Sequence, residues 1–111
     1  MAIFFKNLIA SKYAEAAQVS QYTAVNAQAI IDKFTATNTT SDYVTFSANL
    51  VIGGGSPGGN NLLVDNVIIE PHQTYFLPEL VGHVLEENSY ISTLASAANS
   101  IVIRMSGREI T

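Results

Sequence analysis

Histidines and carboxylates are the residues of this chain whose chemistry would be easiest to recognise. The two histidines, His72 and His83, are eleven positions apart, and acidic residues flank them at Glu70, Glu79, Glu86 and Glu87. These residue types suit a metal, but the short ligand spacings typical of metal sites are missing. We therefore interpret His72 as a turn residue and His83 as a surface residue, and we expect neither a metal nor another cofactor.

Nucleophilic catalysis would require a Ser or Thr beside a histidine and an acid. Serines are frequent, and Ser56 has the G-x-S-x-G spacing within residues 54–58, but a strand pattern follows it where the nucleophile turn of a hydrolase requires a helix. Glu86 and Glu87 are adjacent, so in a strand their carboxylates point to opposite sides, which is unsuitable for paired-carboxylate catalysis. We expect a protein that is not an enzyme.

A glycine-rich segment is the first candidate interaction site. It comprises Gly53, Gly54, Gly55, Ser56, Pro57, Gly58, Gly59, Asn60 and Asn61. It lacks the Lys-Ser/Thr ending of a phosphate-binding loop, and a strand pattern follows where such a loop needs a helix. We interpret residues 53–61 as a flexible hairpin loop, with ordering against a neighbouring subunit as the alternative.

The apolar start of the chain is the second candidate interaction site, with Ile3, Phe4 and Phe5 at its centre. Adjacent aromatic residues in a strand face opposite ways, so Phe4 and Phe5 cannot both reach one core. We expect one of them to pack on another subunit, with residues 1–10 forming an N-terminal arm. Residues 10–18 are expected to cross the molecule irregularly.

Tyrosines could also form a sugar-binding platform, because their rings stack on apolar faces while the hydroxyl stays solvated. Tyr75 and Tyr90 are the candidates for such stacking. This defines an alternative of another class, a carbohydrate-binding module. The absence of tryptophan weakens that alternative, and most of the tyrosines are expected to be half-buried.

The elements that must position these residues are strands. Val44, Phe46, Ala48, Leu50 and Ile52 alternate with the intervening residues, which predicts a strand over 43–52 with these five side chains on its core face. The turn-forming residues that follow contain no helical signal, so 62–70 is expected to return as a second strand.

Shorter strand patterns fill the rest of the chain, at 18–25, 27–37, 74–77, 89–95 and 100–106. We expect Ile30, Phe34 and Ala36 to share one face, and Ile101, Ile103 and Met105 to point inward before Gly107 ends the last strand. Regular short strands separated by turns are typical of sandwiches and barrels. The prediction is all-β: one jelly-roll-like β-sandwich domain over residues 1–111, with about eight short antiparallel strands.

Composition restricts the partners. The 111 residues carry a net charge of −4, only 13% are charged, and the five basic residues are scattered, so nucleic-acid binding is not expected. No segment has the pattern of a signal peptide or the length of a membrane span, and there is no cysteine. We expect synthesis in a reducing cytoplasm and a surface covered in part by partners, since interface cores are poor in charge.

The C-terminal half, residues 61–110, resembles small virion proteins of tailed bacteriophages. The elements that carry the resemblance are Ile69-Glu70-Pro71, Thr74-Tyr75, Leu80 with Gly82, Leu85, Ile91, Ser106-Gly107 and Glu109-Ile110. Related chains often read Gly-Asp where this one has Glu87-Asn88, which leaves that turn type open. The resemblance implies a sandwich or jelly-roll fold and no catalytic residues.

The resemblance also implies a function. The chain would be a capsid cement or decoration protein that binds the major capsid protein or other virion proteins and forms a homo-oligomer in the assembly. It would be made in the host cytoplasm and reside in the virion. A tail, neck or fibre accessory protein is the structural alternative.

Overall fold

The computed structural model describes residues 1–111 and contains nine strands and one short 3₁₀ turn at Gly59–Asn61. The strands are β1 (Ile3–Tyr13), β2 (Val19–Thr23), β3 (Gln28–Asn38), β4 (Val44–Val51), β5 (Leu62–Ile69), β6 (Thr74–Phe76), β7 (Val84–Leu85), β8 (Tyr90–Ala95) and β9 (Ile101–Ile110). The structure holds no helix whose length and apolar character would suit a membrane crossing.

The strands form two antiparallel sheets. Sheet A has the order β1-β9-β3-β6, with β7 also paired to β3, and sheet B has the order β2-β8-β4-β5. The pairs β1–β9, β2–β8, β3–β6/β7 and β4–β5 are nested, as in one long hairpin whose strand pairs alternate between two sheets. This connectivity is that of a jelly roll.

The predicted all-β, jelly-roll-like sandwich is therefore confirmed. The strand count is nine rather than about eight, because β6 and β7 occupy one position beside β3. Pro78 lies in the interruption between them, and a proline cannot donate a ladder hydrogen bond. Strands β1 and β9 are longer than expected, with 11 and 10 residues, whereas β3 has the expected 11 residues.

The core lies between the sheets and forms one cluster of 21 buried residues. Phe34 of sheet A and Phe46 of sheet B meet at its centre, with ring centroids 6.0 Å apart and a tilt of 42°. Such a tilted aromatic pair adds a favourable contact to the burial of its area. The inward placement of Ile101, Ile103 and Met105 is confirmed, since all three are fully buried.

Strand β4 follows the predicted alternation over most of its length. Val44, Phe46 and Ala48 are buried in the core, whereas Leu50 is only half-buried at its edge. The inward assignment of Ile52 is wrong: this residue follows the end of β4 and is 73% exposed. The chain leaves the sheet at Ile52, so the period of two no longer applies there.

The inward face of β3 differs from the predicted one because the strand contains a β-bulge. Ile31 pairs with Gly107 and Lys33 with Ser106, so Asp32 is an extra residue without a partner. The bulge shifts the phase, and Ala29 and Ile31 point inward before it, while Phe34 and Ala36 do so after it. Ile30 therefore does not share a face with Phe34.

The prediction that Gly107 ends the last strand is wrong. Gly107 lies inside β9, beside this bulge. A Cβ atom at Gly107 would lie 2.1 Å from the Ile30 carbonyl oxygen and 2.9 Å from a Leu8 methyl group. Only glycine leaves room for the two strands to approach this closely.

The N-terminal region differs from expectation in two ways, and both concern strand β1. It continues to Tyr13, so the irregular crossing expected from residue 10 begins only after that residue. Residues 3–10 are not a detached arm, because β1 pairs with β9 from Ile3 onward. The first strand is therefore an edge strand of sheet A.

Candidate functional site

The structure brings the two predicted interaction sites to the same end of the sandwich. In sheet A, the outermost row at this end is Ile3, Ile110 and Gln28. In sheet B, it is Thr23, Tyr90 and Val51. The turn between β2 and β3 joins the two rows, so the start of β1 and the glycine-rich loop after β4 share one end. We call this end, with residues 53–61, the loop end.

Most of the large apolar side chains that remain exposed in the molecule are concentrated at the loop end. They are Met1, Ile3, Phe4, Phe5, Val25, Ile52 and Val84. Phe5 is 80% exposed on the outer face of sheet A, and Phe4 faces the opposite way, as the pattern of adjacent aromatics predicts. A contiguous exposed apolar patch makes this end a candidate interaction surface.

The glycine-rich loop is held against sheet B by hydrogen bonds. The Tyr90 hydroxyl donates to the Gly55 carbonyl oxygen at 2.9 Å, and the Asn49 side chain donates to the Gly58 carbonyl oxygen at 3.0 Å. Asn49 also donates to Asn61 Oδ1 at 2.7 Å, and Asn61 Nδ2 donates to the Ser56 carbonyl oxygen at 2.9 Å. The loop therefore folds back onto sheet B through its own hydrogen bonds, whereas the sequence predicted a flexible loop or, as the alternative, one ordered by a neighbouring subunit.

At two positions of this loop, Gly53 and Gly54, the backbone requires a glycine. Gly54 has φ +84°, a left-handed conformation that a side chain disfavours. A Cβ atom at Gly53 would lie 2.8 Å from Asn88 Cβ, in the turn before β8. The first two glycines thus set the turn and the close approach of two chain segments.

A groove of about 490 Å³ opens at the loop end between the two sheets. Leu50, Ile52 and Leu63 line it from sheet B, the loop contributes Gly55 and Asn60, and His83 and Val84 line it from the side of sheet A. Half of its ten lining residues are hydrophobic, and none of them is acidic, a lysine or an arginine. Such a lining suits an apolar side chain of a protein partner better than a phosphate or a metal ion.

A second, smaller groove of about 240 Å³ lies on the outer face of sheet B. Gln18, Asn49, Asp65 and Asn66 line it beside Pro57 and Gly58 of the loop. Asn49 is buried, and Gln18 Nε2 donates to its Oδ1 at 3.4 Å, so these amides hold one another in place. The groove presents neutral polar groups and one carboxylate.

The two tyrosines proposed as a stacking pair do not form one platform. Tyr75 lies in β6 of sheet A, opposite the buried Ala36, and packs against the core. Tyr90 lies in β8 of sheet B and its hydroxyl is engaged by the loop. They are in different sheets, so one sugar ring cannot contact both.

One ionisable cluster lies between the sheets at the loop end. Tyr22 of β2 donates its hydroxyl hydrogen bond to Glu109 of β9, and Lys6 of β1 pairs with the same carboxylate at 3.2 Å. Burial and, after it, the Glu109 carboxylate raise the pKa of Tyr22. The hydrogen bond from Tyr22, followed by the contact with Lys6, lowers the pKa of Glu109. The cluster joins the two sheets where the apolar core ends.

The histidines are not brought together. Both are exposed, His72 in the turn after β5 with φ +56° and His83 just before β7. No group of three or more His, Asp or Glu residues is placed to hold a metal ion. No pattern in the sequence predicts the contacts of Tyr22, Glu109 and Asn49, because these contacts depend on strand pairings between distant segments.

The protein is thus a small jelly-roll sandwich with exposed apolar side chains concentrated at the loop end. No protein-family model matches the sequence, and no curated protein or solved structure matches it either.

Proposed function

We propose that this chain is a non-enzymatic virion structural protein, a capsid cement or decoration protein that attaches to the major capsid protein through the loop end. The observation that carries the proposal is the concentration of exposed apolar side chains at that end, around a loop that is already folded. A preformed contact surface loses little conformational freedom on binding, which favours attachment.

Two further features support this function. Jelly rolls recur in viral capsid proteins, although a fold by itself does not define a function. Only 13% of the residues are charged, which suits a surface that is covered in an assembly. Many copies on one shell, each with a modest interface and contacts to other copies, would make attachment multivalent and hence durable.

The test is attachment to shells of the major capsid protein encoded in the same genome. Ile52 and Val25 are exposed at the loop end, and we expect the double variant Ile52→Ser/Val25→Ser to bind at least about tenfold more weakly, because the apolar contact is lost. Ile68→Ser is the matched control, since Ile68 is exposed on β5 towards the other end.

Equal occupancy of wild type and the double variant in cosedimentation with the shells would contradict attachment through the loop end. A genome without a major capsid or portal gene would contradict the virion assignment itself. Deleting residues 2–9 is a poorer test, because it would remove most of the pairing between β1 and β9 and so damage sheet A.

The polar groove on sheet B favours a second candidate function, binding of a neutral glycan. Its fixed amides and its carboxylate could hydrogen-bond sugar hydroxyls, and Leu62, Leu94 and Pro57 could contact their apolar faces. A glycan array probed with the purified protein tests this candidate. Binding that is lost in Asp65→Ala would support it, and an array without hits would dismiss it.

A further inference from the structure

The sandwich has four sheet edges, and three of them carry features that block the addition of another strand. Strand β2 is short and its register shifts between Ser20 and Tyr22. The β6/β7 edge is interrupted around Pro78. Strand β5 has two register shifts and an Asn66 with φ +48° beside the exposed Asp65. Bulges, breaks and charges of this kind are how soluble proteins protect their edges.

The first half of β1 has no bulge, no break and no unpaired charge. Ile3–Asn7 pairs with β9 residue by residue, and the first register shift comes only after Asn7. The segment contains no proline and no acidic residue, and its one charge, Lys6, is paired with Glu109. This is the one regular, unprotected edge of the molecule.

The unpaired backbone groups of this edge can be identified. Ala2 and Thr111 exchange both backbone hydrogen bonds, at 3.3 and 3.0 Å. Because donors and acceptors alternate along an antiparallel strand, Phe4 and Lys6 also face β9, while Ile3, Phe5 and Asn7 direct their N–H and C=O groups away from it. None of these three residues takes part in a backbone hydrogen bond outside the strand ladders, and β1 has no neighbouring strand other than β9.

We propose that Ile3–Asn7 pairs antiparallel with the same segment of a second copy of this chain, with the two-fold axis at Phe5. The inference deepens the self-association included in the proposed function. It places sheet A of one copy edge to edge with sheet A of the other, giving one continuous sheet across the dimer. It also gives the 80% exposed Phe5 a partner, its own counterpart in the second copy.

Charge and hydrogen bonding select this register. A two-fold axis at Lys6 would place two ammonium groups opposite each other, which is unfavourable. An axis at Phe4 would place Asn7 opposite Met1, outside the strand. An axis at Phe5 pairs the outward backbone groups of Ile3, Phe5 and Asn7, and sets Lys6 against the partner's Phe4, a favourable cation–aromatic neighbour.

The absence of native cysteine makes the register directly testable. Residues opposite each other in a hydrogen-bonded antiparallel pair have Cα atoms about 5.5 Å apart, within the range a disulfide spans. In the purified chain with oxidised glutathione, Phe5→Cys should form a disulfide dimer. Ile3→Cys and Asn7→Cys should each stay monomeric alone but cross-link when mixed.

Tyr43→Cys is the control for random collision, because Tyr43 is 70% exposed and lies before β4, away from this edge. Cross-linking of Tyr43→Cys as fast as Phe5→Cys, or no cross-linking of Phe5→Cys, would overturn the proposal. So would efficient self-cross-linking of Ile3→Cys, which needs another register.

A measurement without cysteine tests the same pairing. In sedimentation equilibrium we expect wild type to dimerise with rising concentration, and Phe5→Lys to raise the dimer dissociation constant at least about tenfold through like-charge repulsion. The exposed position predicts an unchanged melting temperature for the Phe5→Lys monomer. A wild type that stays monomeric throughout would refute the pairing and leave capsid attachment, tested with Ile52 and Val25, unaffected.

Discussion

Glu109 is a charged residue that faces the space between the sheets. It lies opposite the buried Ala29 on β3 and opposite Phe4 on β1, so its side chain points inward at the loop end. Tyr22 from the other sheet and Lys6 both contact its carboxylate. The ionised form is therefore tied to the folded structure, and stability should depend on its protonation.

The first prediction is a pH dependence. The folded state holds the pKa of Glu109 below its usual value of 4.5, so its contribution is complete above that pH and is lost as the pH falls through the lowered value. Melting temperatures measured from pH 7 to pH 3 should show wild type losing more stability than Glu109→Gln, so that the difference between them narrows in acid.

Glu79→Gln serves as the matched control, because Glu79 is exposed and makes no ion pair. It should behave as wild type across the whole range. A difference between wild type and Glu109→Gln that does not change with pH would show that ionisation of Glu109 does not stabilise the fold.

The second prediction concerns the core. Phe46 is fully buried against Phe34, so Phe46→Ala should lower the free energy of unfolding by about 3–5 kcal/mol through lost burial and a residual cavity. Tyr43→Ala, three residues earlier and exposed, should change it by less than about 0.5 kcal/mol. Urea unfolding monitored by circular dichroism measures both, and equal midpoints would contradict the central role of Phe46.

At the scale of elements, one hairpin was predictable only in part. It consists of β4, the glycine-rich loop and β5. Alternation predicts β4, because a core on one face imposes a period of two. It does not predict that Asn49 and Tyr90, on the outer face, hold the loop. Those two residues look like ordinary solvent-facing positions until the loop folds back over them.

The third prediction tests whether the side-chain hydrogen bonds of Asn61 restrain the loop. Asn61 accepts from Asn49 and from the Gly58 amide and donates to Ser56, so Asn61→Ala should release residues 53–61. We expect faster limited proteolysis within the loop and a local loss of about 1–3 kcal/mol in hydrogen-exchange protection. Asn60→Ala is the matched control, because no hydrogen bond involves the side chain of the exposed Asn60. Equal cleavage of the two variants would show that the Asn61 hydrogen bonds do not restrain the loop.

The bulge in β3 is a second feature that could not be predicted from the sequence. A run such as Ile30-Ile31-Asp32-Lys33-Phe34 has apolar residues in both phases, and only pairing with β9 shows that Asp32 is the extra residue. The assignment of Ile30 to the face of Phe34 failed for this reason.

At the scale of the whole molecule, the fold class could be predicted from the sequence, but the pairing of strands and the placement of loops could not. Strand patterns and turn spacing are local properties, and they predicted the sandwich. Which strands pair, which edge stays open, and which loops share an end depend on contacts between distant segments. Ile3–Phe5 and Gly53–Asn61 were each singled out, but nothing in the sequence shows that they lie at one end.

The central place of β9 has a consequence for the order of events in folding. This strand lies between β1 and β3 in sheet A, yet it is the last strand in chain order. Sheet A cannot form its centre until β9 has been synthesised, and the β1–β9 contacts span nearly the whole chain, which favours slow folding. Until then, β1 exposes both of its edges, so a nascent chain is most prone to aggregate before β9 has been synthesised.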